Sequence, residues 1–174
     1  MSEIKVRKMI SDDLDWIIDL ERRAFSDPWP RQSFRETLSE PMSGGLVAEI
    51  FSGGQWRRVG YGCYFSGGGE THVTNIAVEP QFRRQSVGRR LLESALARAI
   101  ADESDLMILE VRSSNRDAIE FYSRQGFHEL YRRAAYYDNP REDAIVFARA
   151  IKTTQPDNTR NSYDASDADS KKRR

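Results

Sequence analysis

The run Leu106-Met107-Ile108-Leu109-Glu110-Val111 constrains this chain more than any other stretch. Nearly continuous apolar sequence of strand length belongs in the middle of a sheet that is covered on both faces. The preceding sequence agrees with that. Thr71 to Val78 reads as a further strand, stopped by Glu79-Pro80. Between the two lies Val87 to Ala101, a strongly periodic helix with Leu91, Leu92, Ala95, Leu96 and Ala99 facing inward. Strand, helix and buried strand in succession predict an α/β layer structure.

The other elements follow from local signals. Ile4 to Arg7 is a short alternating strand, and Ser11 is placed to cap a helix whose apolar face is Leu14, Ile17, Ile18 and Phe25, ending at Asp27-Pro28. Pro30 opens a second short helix carrying Phe34 and Leu38. Leu46 to Phe51 and Val59 to Phe65 are strands joined through Ser52-Gly53-Gly54, and Gly67-Gly68-Gly69 is the next turn. Ala118, Ile119 and Tyr122 line a helix ending at Gly126, while Phe127 to Tyr137 and Asp143 to Ile151 close the sheet. The expected fold is α/β (α+β), with a mixed central sheet of about seven strands and about four helices.

The 174 residues suffice for one domain, placed at 1–151. From Lys152 to Arg174 no aliphatic residue is larger than alanine and Tyr163 is the only aromatic, so 152–174 is expected to be a disordered polar tail. Its end, Lys171-Lys172-Arg173-Arg174, is either a solvated terminus or a contact for ribosomal RNA or an acidic partner. Lys plus Arg equals Asp plus Glu at 27 each, which argues against bulk or specific nucleic-acid binding. Cys63 is the single cysteine, the start lacks a basic-then-apolar leader, and no stretch approaches a membrane span. A cytoplasmic protein without a membrane partner is expected. His72 and His128 lack ligand spacing and no Cys/His set exists for zinc, so no metal is expected.

Arg83-Arg84-Gln85-Ser86-Val87-Gly88-Arg89-Arg90 lies between a strand and the periodic helix. Unpaired N–H groups at a helix start and the helix dipole favour an anion there, and Gly88 lets it approach the backbone. The same stretch can also be no more than a solvated basic surface. With Asn75-Ile76-Ala77-Val78-Glu79-Pro80 before it, however, the segment resembles the acetyl-CoA-binding core of the GNAT acetyltransferases. The resemblance implies that Arg84, Gln85, Ser86, Val87, Gly88 and Arg89 cradle the pyrophosphate of acetyl-CoA, and that Ile76, Ala77 and Val78 pair with its pantetheine arm. Ser86 stands where that family has glycine. At positive φ a serine there costs on the order of 1 kcal/mol, whereas as a helix N-cap it suits the position.

Glu110 lies among apolar neighbours and shares a strand face with Leu106, Ile108 and Arg112. One reading is an ion pair with Arg112. Another is chemical: a carboxylate with a raised pKa can take the proton that an α-amine must lose before attacking a thioester. Tyr122 either packs in the core or, as a phenol, protonates a leaving thiolate. The segment from Leu109 through Asn115 and Tyr122 to Gly126-Phe127 is similar to the second GNAT core motif, especially in the RimI branch of bacterial N-terminal-alanine acetyltransferases. That similarity implies Glu110 as general base, Tyr122 as general acid and Asn115 as a cofactor contact. Phe25 to Pro30, containing Trp29, and Tyr136 to Ala144, containing Tyr136 and Tyr137, resemble the branch's substrate-side segments. They imply a slot for a protein or peptide N-terminus, the alanine of small-subunit ribosomal protein S-eighteen being the implied substrate. Two other classes remain open at this stage: acetylation of a small amine or lysine side chain, and a non-catalytic CoA-binding module. Cys63 has no histidine near it in sequence and is expected as a buried thiol, which favours direct transfer over an acyl-enzyme.

Overall fold

A computed structural model describes residues 3–151. The tail expected at 152–174 lies outside the described residues. The elements run β1 (Ile4–Lys8), α1 (Leu14–Ala24), α2 (Arg31–Ser39), β2 (Ser43–Ser52), β3 (Gln55–Gly67), β4 (Glu70–Val78), α3 (Val87–Ala101), β5 (Leu106–Arg112), α4 (Arg116–Arg124), β6 (His128–Asp138) and β7 (Arg141–Ala150). The sheet has seven strands in the order β1-β2-β3-β4-β5-β7-β6. Every neighbouring pair is antiparallel except β4 and β5, which the α3 crossover makes parallel.

The two faces carry separate apolar clusters. One gathers Leu46, Ala48, Val59, Val73, Met107, Leu109, Val111, Ile145 and Phe147 against Leu91, Leu92, Ala95 and Ala99 of α3, with Tyr122 of α4 packed on it. The other sets Leu14, Ile17, Ile18 and Leu20 of α1 and Phe34 of α2 on Val47, Tyr61, Cys63 and Ala77. Met107, Leu109 and Val111 alternate with Ile108 and Glu110 as strand geometry requires, so the Glu110 side chain faces away from α3.

Three local expectations change. Ser11 does not cap α1: Ser11–Asp13 is a 3-10 turn, and the buried Asp13 carboxylate accepts from Ile10 N–H at 2.9 Å and from Arg7 at 2.7 and 2.8 Å. A carboxylate shared between a backbone donor and a guanidinium outcompetes a hydroxyl for this corner. Helix α1 stops at Ala24, and Phe25 is extended and 37% exposed rather than inward. The strands also run longer than their apolar cores, β3 most of all, because polar residues continue the ladder past the buried part.

Candidate active site

The parallel pairing of β4 with β5 covers four residue pairs, Glu70↔Leu106 to Val73↔Leu109, and then stops. Beyond it β4 continues to Val78 and β5 to Arg112, each still paired on its outer side. The inner edges of Thr74–Val78 and Glu110–Arg112 therefore face a gap in the middle of the sheet, with unspent backbone donors and acceptors. Ile76, Ala77 and Val78 lie on that edge.

Helix α3 begins at the end of this gap. Arg84 and Ser86 both have positive φ, 60° and 65°. Ser86 is the N-cap residue, yet its side chain makes no capping hydrogen bond. Both halves of the sequence-level alternative therefore meet in one residue: it is the cap by position, and it carries the left-handed strain without the hydroxyl's benefit. The first-turn amides of Val87, Gly88 and Arg89 remain without a side-chain cap, and positive φ at alternate residues curls the backbone into an anion-binding concavity. A Cβ at Gly88 would sit 3.6 Å from the Phe121 ring and 3.8 Å from Val78, so this glycine borders both α4 and the end of β4. Gln85 braces the loop through Gln81 O at 3.0 Å, and Arg89 pairs with Glu93 at 2.8 Å. An unpaired strand edge leading to an uncapped helix start fits a long ligand with an amide-bearing arm and a diphosphate.

On the other side of the gap, Glu110 Oε1 accepts from Arg133 Nη1 at 3.0 Å. The ion pair expected with Arg112 is made with Arg133 instead, so a guanidinium joins the apolar neighbours of this carboxylate. Val146 explains the pairing, because its register partner on β5 is Glu110 and on β6 is Tyr131, so β6 brings its side chains across β7 toward β5. Arg133 also lies 5.3 Å from the Tyr136 ring and donates to Tyr131 Oη at 3.2 Å. Tyr136 and Tyr137 are in edge contact at 5.1 Å. Burial, and then the nearby Glu110 carboxylate, raise both phenols above their ordinary pKa. Glu110, Tyr136 and Tyr137 are thus one cluster. Arg133 and Tyr131 belong to it and were not foreseen; the only trace in sequence is their place two strands away.

Tyr122 rings pack on Phe121 at 5.0 Å and Phe127 at 5.8 Å, and burial pushes the phenol upward. Core packing and a protonated hydroxyl are therefore compatible. Asn115 is the N-cap of α4, its side chain accepting from Ala118 N–H at 3.1 Å. Trp29 packs on Phe34 at 5.6 Å, and its backbone N–H donates to Glu21 at 2.9 Å. Glu21 is a buried carboxylate that sequence reading passed over; it also accepts from Tyr61 Oη and from Asn75 Nδ2 at 3.2 Å. Burial pushes its pKa up to about 7, against the opposing Trp29 and Asn75 hydrogen bonds. Cys63 is 1% exposed and burial drives its thiol upward, which removes it as a nucleophile. Among the described residues no cluster of three or more His, Cys, Asp or Glu could hold a metal ion.

A sheet split between two parallel strands, an uncapped helix start on one lip and a carboxylate among tyrosines on the other suit an acyltransferase that draws on a nucleotide-linked thioester. The chain belongs to the GNAT acetyltransferase family, whose model matches residues 14–127, and acetyl-CoA is its cosubstrate. It is 31% identical over 148 residues to the Escherichia coli K12 protein named [ribosomal protein bS18]-alanine N-acetyltransferase, covering 84% of this chain and 97% of that one. An N-alpha-acetyltransferase of Sulfurisphaera tokodaii is 32% identical over 160 residues, covering 86% and 94%. The crystal structure of the Escherichia coli ribosomal-protein-alanine enzyme superposes with a TM-score of 0.76 at 28% identity, covering 91% of this chain and all of the other. These relatives make the protein an N-alpha-acetyltransferase and do not favour the small-amine or non-catalytic alternatives.

Proposed function

We propose that the protein acetylates the α-amine of an N-terminal alanine, with ribosomal protein bS18 as its substrate in the cytoplasm and the catalytic domain spanning residues 1–151. The observation that carries this reading is the Glu110 carboxylate, held by Arg133 beside the point where β4 and β5 part. An amine entering between Trp29 and the Tyr136–Tyr137 pair meets Glu110 as the proton acceptor, directly or through a water. Arg133 fixes the carboxylate's direction. Acetyl-CoA supplies the activated acetyl group. Ile76, Ala77 and Val78 offer their backbone edge to its arm, and Arg84 to Arg89 with the α3 amides hold its diphosphate. Asn115, at the turn between β5 and α4, would be a further contact to acetyl-CoA. Tyr122, kept protonated by burial, gives its proton to the departing thiolate.

With Cys63 buried, transfer is direct within a ternary complex. The test is mass analysis of a short Ala-first peptide after incubation with acetyl-CoA. One acetyl group on the α-amine is expected, with lysine side chains untouched. Glu110→Gln should lower kcat by about 10²- to 10⁴-fold, the usual contribution of a positioned proton acceptor. Unchanged turnover in that variant would remove Glu110 from the chemistry.

A further inference from the structure

Arg112 is two residues beyond Glu110 on the same strand face, and it is bound from every side. Its Nη1 donates to Glu142 Oε1 and to Pro140 O, both at 3.0 Å. Its Nη2 donates to Asn139 O at 3.0 Å and to Ser26 Oγ at 3.1 Å. The guanidinium lies 4.1 Å over the Tyr137 ring. Ser26 Oγ itself donates to Asn139 O at 2.6 Å, so the segment between α1 and α2 is tied to the β6–β7 turn 113 residues away. Glu142 carries the connection onward. Its Oε2 accepts from Ser114 N–H at 3.1 Å and Ser113 Oγ at 3.3 Å, and its Oε1 accepts from Ser114 Oγ at 3.2 Å. Those serines form the turn that leads to Asn115 and into the helix bearing Tyr122.

We propose that Arg112 is a positioning residue that clasps the 25–30 segment, the β6–β7 turn and the β5–α4 turn together, so that peptides are captured by a wall already closed. The inference rests on the N-terminal acetyltransferase reading above. Its physical basis is the planar fork of arginine, which serves two carbonyls, a hydroxyl and a carboxylate while stacking on a ring; an ammonium is a single point charge and cannot. Pre-joining these three segments removes the ordering that a peptide would otherwise impose on binding. Ser26 is exposed and lies in no apolar cluster, so it reports on the clasp without disturbing the core.

The test compares Arg112→Gln, Arg112→Lys, Ser26→Ala and the double variant Ser26→Ala/Arg112→Gln with the wild type, using an Ala-first peptide and acetyl-CoA as separate varied substrates. Amide hydrogen exchange is followed over residues 24–30 and over α3. Arg112→Gln should raise the peptide KM by roughly tenfold or more while the acetyl-CoA KM stays within about twofold. Arg112→Lys should recover only part of the loss. Ser26→Ala should raise the peptide KM by roughly threefold, and the double variant should be no worse than Arg112→Gln alone, because both changes break one network. Exchange over 24–30 should quicken in all of them, with α3 unaffected. Equal movement of both KM values, an unmoved peptide KM, or faster exchange without a KM change would each overturn the clasp. A wild type that acetylates no α-amine would instead overturn the reading on which it rests.

Discussion

Single side chains in this molecule are defined by what they are bound to rather than by their type. Glu21 and Glu110 are both carboxylates facing away from α3, yet one is buried under Tyr61, Trp29 and Asn75 and the other meets a guanidinium at a strand edge. For Glu21, the folded pKa of about 7 lies above the ordinary 4.5, so the native state holds the extra proton. Its effect on stability is absent below pH 4.5, where both states are protonated, and grows unfavourable as pH rises toward 7. That slope amounts to on the order of 3 kcal/mol between pH 5 and 8. Urea midpoints at the two pH values should differ in the wild type, and Glu21→Gln should flatten the difference. Tyr122→Phe keeps the ring packed on Phe121 and Phe127, so it should leave thermal stability within about 1 kcal/mol while lowering kcat by roughly tenfold or more. A kcat equal to the wild type's would return Tyr122 to a packing role only.

At the scale of elements, close approach decides more than hydrophobicity. A Cβ on Gly60 would meet Ala77 O at 2.9 Å, Val87 at 3.1 Å and Leu91 at 3.3 Å, so α3 and β4 press on β3 where only hydrogen fits. Gly60→Ala should therefore lower stability by about 1–3 kcal/mol and shift the melting temperature accordingly. Ser86→Gly works in the opposite sense. It relieves the left-handed strain at φ 65°, and stability should stay level or rise by up to about 1 kcal/mol. Because the strain is present before acetyl-CoA arrives, its KM should remain within about twofold; a large fall would mean that Ser86 changes conformation on loading. These elements also show what the sequence could and could not tell. The α3 span was legible to the residue because its 3.6-residue period is strong and its ends are punctuated. Glu110 was legible as a candidate because a polar group in an apolar run stands out, whereas Tyr136 and Tyr137 were candidates only through the resemblance of their segment to the RimI branch. The Arg133 partnership was not, because it depends on the register of three strands and on the irregularity between Arg133 and Tyr137, which no local pattern encodes. The start of α1 was misread for a related reason: Asp13 is claimed by Arg7 of the preceding strand and by Arg58, 45 residues away.

Taken whole, the molecule is a seven-stranded sheet whose order could be assembled only from tertiary pairing, although its layers were legible from alternating periods. No described helix is long and apolar enough to cross a membrane. Among the described residues, four parallel pairs are the only ladder joining the β1–β4 half to the β5–β7–β6 half. This places the weakest seam of the sheet at its centre, where most proteins are stiffest. A thioester ligand bound along Thr74–Val78, as proposed above, would act there as a splint, so occupancy should tighten both halves at once rather than only the loop that touches it. At a ligand concentration a hundred times its dissociation constant the gain is about 2.7 kcal/mol, and slowed amide exchange in β5 as well as β4 would register it. The bound donor is thus expected to brace the centre of the sheet, and that bracing to be lost each time spent CoA departs.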